Sequence, residues 1–319
     1  MAHWSKEKEY AKTDFPILFT LFLVKILPEA VVNSIAVFVS FFYFLFARKP
    51  VKYAVEFQKQ LKTFTDGKIP EKISGYKSIL SFSLSLIERL SSWTGKNIKN
   101  KKIVKIEQSQ SAENLINQKN GAIIFGSHLG NIDFMRSLAL ERKFTDNSKP
   151  VINIIMEKKS SKKFSSVINK INSDFYMNAI DPSEISPATI CILQEKLAAG
   201  ELLFAACDRT SAETKERTIS QNFLGRSAEF PYGVFLMASL FKVPVFYIYG
   251  LREKTFMFKS RNVLYVRQSK INLECSTRKD RELGIKSLCK EYAENLELFC
   301  KIAPFQWYNF FDFYHQTEN

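Results

Sequence analysis

The sequence predicts an α/β fold: a mostly parallel sheet covered by helices, preceded by an apolar helical segment that associates with a membrane. Three observations carry this. Short apolar runs such as Ala122-Ile123-Ile124-Phe125 and Leu202-Leu203-Phe204-Ala205 have strand length. Segments of helix length separate them, the alternation expected of parallel strands with helical crossovers. Ahead of them, Phe15 to Ala47 is almost continuously apolar.

Within that first run, Lys25, Pro28 and Glu29 divide the chain. The half from Ala30 to Ala47 carries no charge and approaches the ~20 residues that cross a hydrocarbon core of ~30 Å. Arg48, Lys49 and Lys52 follow at once, as at a cytoplasmic or interfacial boundary. One transmembrane helix, a hairpin in one leaflet, and two helices packed on a soluble domain all fit. Residues 1–50 are assigned to membrane-associating helices and 51–319 to an α/β domain. From Val51 to Leu90 apolar residues recur at helical spacing, punctuated by Pro70 and Gly75. Asn97 to Lys105 is lysine-rich and expected on the surface.

The alternation then begins. Strands are expected at Ala122–Ser127, Val151–Met156, Phe175–Ile180, Leu202–Cys207, Val243–Tyr249, Thr255–Phe258 and Val263–Val266. Helices are expected from Asn131, at Ser160–Ile171, Pro187–Leu197, Pro231–Phe241 and Arg281–Ile302. The aromatic tail from Pro304 to Phe313 has no periodicity.

Hydrophobic residues make up 46% of the 319 and charged residues 24%, enough to bury a core and too apolar for bulk disorder. Lys and Arg outnumber Asp and Glu 46 to 32, a net charge of +14 that points to an anionic partner. The five cysteines form no C-x-x-C pair, which argues against a disulfide framework or zinc site and for a reducing compartment. The lysine runs lack interleaved aromatics, and no helix-turn-helix or RNP pattern occurs, so nucleic acid is not the expected partner.

Of three histidines, His3 and His315 lie near the chain ends, and His128 stands in Gly126-Ser127-His128-Leu129-Gly130-Asn131-Ile132-Asp133. The segment leaves a predicted strand and enters a predicted helix, where open α/β sheets place their chemistry. Asp133, in the first helical turn, is expected to face the imidazole, fix its tautomer and raise the basicity of the outer nitrogen. The plainer alternative is a helix-capping His beside a favourable first-turn acid. Asp208-Arg209 ends another strand, so a parallel sheet brings it to the same rim. Arg226 and the helix start at Phe230-Pro231-Tyr232-Gly233 follow; Pro at a helix start leaves N–H groups that suit an anion. The P-loop lysine is missing after Gly126, and neither H-E-x-x-H nor G-x-G-x-x-G occurs. Gly126 and Gly130 have the spacing of a nucleophile elbow, but its centre is His128 rather than Ser.

His128-x4-Asp133 resembles the H-x4-D/E signature of the lysophospholipid acyltransferase superfamily. Together with Asp208-Arg209 and Phe223-Leu224-Gly225-Arg226 ahead of Phe230-Pro231-x-Gly233, it is similar to the bacterial lipid A biosynthesis (lauroyl/myristoyl) acyltransferase branch, from His3-Trp4 to Trp307. Cys207 stands where many such proteins have Gly, and Asp133 where lipid A enzymes often carry Glu. The resemblance implies a glycerolipid acyltransferase-like fold and transfer of a fatty acyl group from an acyl carrier protein or coenzyme A thioester to a hydroxyl or amine of a membrane lipid. In that reading His128 is the general base and Asp133 its orienting acid. Backbone N–H groups at Gly130 and Asn131 stabilise the oxyanion. Asp208, Arg209, Arg226 and Gly233 bind substrate. No metal or cofactor is implied beyond the thioester co-substrate. The expected setting is a monomer on the cytoplasmic face of a bacterial inner membrane, served by an acidic acyl carrier protein. The alternative is a non-catalytic lipid-binding scaffold that keeps the fold.

Overall fold

The computed structural model describes residues 15–93, 104–106, 109–118, 120–135, 151–156, 177–210, 217–254, 261–274 and 276–316. The expectations for His3, the lysine-rich segment up to residue 103, a helix at 160–171, a strand at 255–258 and any helix beyond 135 lie outside these residues. So does Cys275.

The apolar run forms α1 (Phe15–Ile26) and α2 (Glu29–Phe46). Pro28, with φ −60° and ψ 146°, sits in the extended conformation that ends one helix and caps the next. The following helical pattern resolves into α3 (Arg48–Phe64) and α4 (Gly75–Trp93), parted around Pro70 as the sequence predicts.

The sheet contains β1 (Val104–Ile106), β2 (Ala122–Gly126), β3 (Ile152–Ile155), β4 (Met177–Ile180), β5 (Leu202–Ala206), β8 (Val245–Arg252) and β9 (Asn262–Gln268). A separate hairpin pairs β6 (Thr218–Phe223) with β7 (Arg226–Pro231). The remaining helices are α5 (Gln110–Ile116), α6 (Pro187–Ala198), α7 (Tyr232–Phe241) and α8 (Arg278–Ile302). The seven strands run in the order β1-β9-β8-β2-β5-β3-β4, and every neighbouring pair is parallel except β8 with β9.

Strand periodicity divides the core in two. Ile123, Phe125, Leu203, Ala205, Tyr247 and Tyr249 face one side, packed with α6, α7 and α8. Ala122, Ile124, Leu202, Phe204, Phe246 and Ile248 face the other, against α5 and Phe134. Both faces of the central strands are covered, which is why they read as unbroken apolar runs.

The hairpin was not foreseen. Its two-residue turn puts Leu224 (φ 52°) and Gly225 (φ 78°) in the left-handed region. Asn-Gly is the usual signal for such a turn. Here Leu224 is completely buried, its N–H donates to Glu297 on α8 (2.5 Å), and its carbonyl accepts from Gln60 on α3 (2.6 Å). Burial of the leucyl side chain offsets the backbone strain.

Candidate active site at the carboxyl rim of β2 and β5

Strand register builds the centre of the site. Gly126 of β2 pairs with Ala206 of β5. Two residues beyond each partner stand His128 and Asp208, side by side at the carboxyl ends of adjacent parallel strands. His128 Nδ1 lies 2.8 Å from Asp208 Oδ1, and the His128 backbone N–H donates to Oδ2 at 2.9 Å. Oδ2 also accepts from Trp307 Nε1 (3.0 Å) and Asn309 Nδ2 (2.9 Å). Asp208 is therefore a fully buried carboxylate with both oxygens engaged, the condition under which a buried charge is tolerated.

The electrostatics follow. Burial works to raise the Asp208 pKa, but the His128 ring, its hydrogen bonds and Arg209 outweigh it and hold the carboxyl at about 2. Burial, then Arg209, push the His128 pKa below 6.5, against the pull of Asp208. The ring is thus neutral near pH 7. Beside an ionised Asp208 its proton belongs on Nδ1, which leaves the Nε2 lone pair for chemistry. The side chain keeps 29% of its surface exposed, and Nε2 has no hydrogen-bond partner among the described residues.

Asp133, expected to orient His128, does not. Its carboxylate pairs with Arg89 of α4 in a short contact, and Asp208 takes the orienting place. The reason is local. Gly130 turns the chain with φ +75°, and a Cβ there would meet the Gly250 carbonyl oxygen at 2.1 Å. Asn131 Oδ1 then accepts the Asp133 N–H at 3.0 Å, opening a 3₁₀ turn at Ile132–Met135 rather than the expected α-helical start. This geometry directs Asp133 to α4. Arg89, which the sequence reading missed, thereby enters the surroundings of His128, where its charge also disfavours the imidazolium.

The expected backbone oxyanion hole is also not open. Gly130 N–H donates to the Gln306 carbonyl (2.8 Å) and Asn131 N–H to the Gly250 carbonyl (2.7 Å). These bonds stitch the turn between β8 and the aromatic tail. Tyr308 N–H bonds the His128 carbonyl (2.9 Å), and Leu129 forms an antiparallel bridge with Trp307. Asn131 is buried, and its Nδ2 has no hydrogen-bond partner among the described residues.

The expected substrate residues separate. Arg209 is on the rim, but its Nε donates to Asn309 Oδ1 (2.8 Å) and one terminal nitrogen to the Tyr308 carbonyl (3.2 Å), fastening the tail. Arg226 begins β7, its guanidinium 4.2 Å above the Tyr314 ring. Gly233 opens α7 beyond the other end of β7, roughly 17 Å away along a strand of that length. The two do not share a site. His315 bonds Asp312 (2.9 Å) at the surface. Cys207, Cys289 and Cys300 are buried, Cys191 is exposed, and all four are free thiols. Among the described residues no group of three His, Cys, Asp or Glu side chains is arranged to hold a metal.

Around the rim α4 makes a second buried connection. Glu88 pairs with Arg252 at the end of β8 (2.6 Å) and accepts from Asn262 Nδ2 (3.2 Å). Gln306 brackets Arg252, accepting its N–H (3.0 Å) and donating to its carbonyl (2.7 Å). Four long-separated segments, the turn after β2, the end of β5, α4 and the tail, therefore meet at one place.

No protein-family model matches this chain, and no curated protein sequence matches it.

Proposed function

We propose that the protein is an acyltransferase that moves a fatty acyl group from a thioester to a hydroxyl or amine of a membrane lipid, with His128 as general base and Asp208 as its orienting acid. The observation that carries the reading is the His128–Asp208 pair, with a buried anion on Nδ1, an Nε2 that has no hydrogen-bond partner among the described residues, and a side chain that keeps 29% of its surface exposed. The resemblance of the H-x4-D segment to lysophospholipid acyltransferases supports the reaction class, and the exposed apolar helices α1 and α2 support a membrane-resident acceptor.

The steps balance simply. Nε2 takes the proton from the acceptor hydroxyl as its oxygen bonds to the thioester carbonyl carbon. Asp208 stabilises the imidazolium. The tetrahedral oxyanion collapses, the carbon–sulfur bond breaks, and the leaving thiolate receives the proton from Nε2. Such proton transfer is worth ~10²–10⁴-fold in rate. Asp133 holds Arg89 near the base, where a guanidinium suits a phosphate on acceptor or donor.

The test is direct. Purified chain is given acyl carrier protein or coenzyme A thioesters and a membrane lipid extract, and acylated lipid is measured by mass spectrometry. His128→Ala abolishes product formation while the fold, followed by circular dichroism, persists. A folded variant that keeps most of its activity refutes the assignment. The closed backbone turn favours a second reading, a lipid-binding protein without catalysis. Lipid binding with no product from the unsubstituted chain, across both donors, establishes that reading instead.

A further inference from the structure

We infer that Glu88 is a positioning residue: by latching α4 to the end of β8, it holds the helix in the register that delivers Arg89 to Asp133 beside His128. The inference rests on His128 being the working base, and the acyltransfer reading gives that base its task. α4 has two unlike sides. Toward α2 it is apolar, with Leu80 and Leu84 packed on Ala36. Toward the domain it is polar, where an amphipathic helix ordinarily buries apolar residues. Ser78, Ser81, Ser85 and Glu88 recur at steps of three or four residues, and all are buried. Gln58 on α3 donates to Ser78 Oγ (2.9 Å), and Tyr308 of the tail bonds the Ser81 hydroxyl (3.0 Å). Arg252 donates to Glu88 at 2.6 Å.

Serine rungs cannot set a register, because they are alike. A slide of one turn, ~5.4 Å, brings Ser78 or Ser85 to the place of Ser81 and offers Tyr308 a hydroxyl as before. Glu88 is the charged rung, and its present place is the one that meets Arg252. A slide would leave the Arg252 cation, with a side chain only 4% exposed, buried without its anion, which is the costly state for a charge. A single buried polar group that selects one register among near-equivalents is the best-attested use of such groups. As a source of stability, a buried ion pair does no better than apolar residues of the same volume.

The register delivers the next residue along. Arg89 is bonded to Asp133, and a one-turn slide carries its guanidinium out of hydrogen-bond reach. The bonds close into a ring. Glu88 holds Arg252, whose backbone Gln306 brackets (3.0 and 2.7 Å). The Gln306 carbonyl accepts Gly130 N–H (2.8 Å), and the turn that Gly130 opens carries Asp133 back to Arg89. α4 and the turn that bears His128 are thereby tied to the same strand end. Beyond burial, the groups that set the protonation of His128 are Arg209 and Asp208 from the end of β5 and Arg89 from α4. Arg89 disfavours the imidazolium, so its displacement is read as a rise in the His128 pKa.

Titration of His128 tests this without turnover. Glu88→Gln alone would strand the Arg252 cation, so the pair is replaced together. Glu88→Leu with Arg252→Met keeps the volume, removes no net charge and leaves the backbone bracket of Gln306 in place. The full-length chain is studied in neutral detergent with His3→Gln and His315→Gln, so that one carbon-13-labelled imidazole reports by NMR. The paired replacement is expected to keep the circular-dichroism signal of the fold and to raise the His128 pKa. Arg89→Gln is expected to raise it too, and all three substitutions together to raise it no further than Arg89→Gln alone, because the latch acts through Arg89. An unchanged pKa in the paired replacement, or a full second rise on top of Arg89→Gln, overturns the proposal. Loss of the fold overturns it as well, since the pair would then support the core rather than set α4. In the acyltransfer assay the paired replacement should raise KM for a phosphate-bearing substrate about tenfold, the loss of one charge-assisted hydrogen bond, with a smaller change in kcat. Absence of acyl transfer beside the expected titration shifts refutes the reaction and leaves the latch standing.

Discussion

Replacing Asp208 with Asn tests the dyad through the tautomer of His128. Three N–H groups, from His128, Trp307 and Asn309, converge on Oδ2. Only an oxygen is tolerated there, since an amide NH2 would meet donor against donor. The NH2 of the new side chain must then occupy the Oδ1 position, 2.8 Å from Nδ1, and donate to it. Nδ1 becomes the acceptor, the ring proton moves to Nε2, and the base is lost with the fold in place. The expected fall in kcat is ~10²–10⁴-fold, or about 3–5 kcal/mol of transition-state stabilisation. Three charge-assisted bonds also become neutral ones, a stability loss of about 1–3 kcal/mol after relief from burying a charge. Single-turnover acyl transfer reads the first effect, urea unfolding the second, and nitrogen-15 shifts of the imidazole the tautomer. Asp208→Asn with near-normal kcat, or with the proton still on Nδ1, would falsify the dyad as drawn.

Asp133→Asn leaves that tautomer alone, so kcat should fall less than in Asp208→Asn while KM for the phosphate-bearing substrate rises; equal losses in kcat argue that both acids act on His128. The acid limb of kcat/KM should lie below pH 6.5, because burial and Arg209 disfavour the imidazolium; Arg209→Gln should move it upward, and a pH–rate profile that ignores this substitution contradicts the assignment. For stability the signs run alike for both groups, since both folded pKa values are depressed. The His128 contribution is complete above pH 6.5 and is lost as pH falls through its lowered value, and that of Asp208 is complete above 3.8 and disappears as pH falls towards about 2; urea titrations across pH 2–8 record both. Gly130→Ala forces a Cβ against the Gly250 oxygen at a φ of +75°, a cost of about 1–3 kcal/mol or more in backbone strain, and an unchanged melting temperature would show that the turn is not held as described. Trp307→Phe keeps the ring packed on Phe57, Phe223 and Phe313 but removes one donor from Asp208, so stability should fall by about 1.5–3 kcal/mol.

The strands were legible because they are buried on both faces. Leu202–Ala206 and Ala122–Gly126 are apolar at every position except the closing glycine, and the predicted bounds differ from the observed ones by one residue. The helix breaks at Pro28 and around Pro70 were legible for the covalent reason that proline cannot continue a helix. His128 was found at its proper place on the rim. Its partner was not, because Asp133 is near in sequence while Asp208 is near only once β2 and β5 are known to be adjacent and in register. Two equal overhangs past paired residues were the available signal, but strand order is a tertiary fact that no periodicity carries. Leu224 concealed the hairpin, since its left-handed backbone is supported by Gln60 and Glu297 from distant helices rather than by a turn residue. The tail from Pro304 was unreadable for a related reason: Gln306, Trp307 and Asn309 are held by side-chain bonds to the rim, not by a repeating element.

That tail has a consequence for how the protein comes to work. The bonds that neutralise and aim Asp208 come from residues 99 and 101 positions along the chain, and Tyr308 reaches Ser81 across 227. Contacts of such separation close late in folding, after local helices and neighbouring strands have formed. A chain with its sheet complete and its tail undocked would have an acid with no fixed aim and a base with no fixed tautomer. On the acyltransfer reading, activity is then a late event in assembly, and in mild denaturant it should be lost before the sheet signal, as the tail peels from the rim.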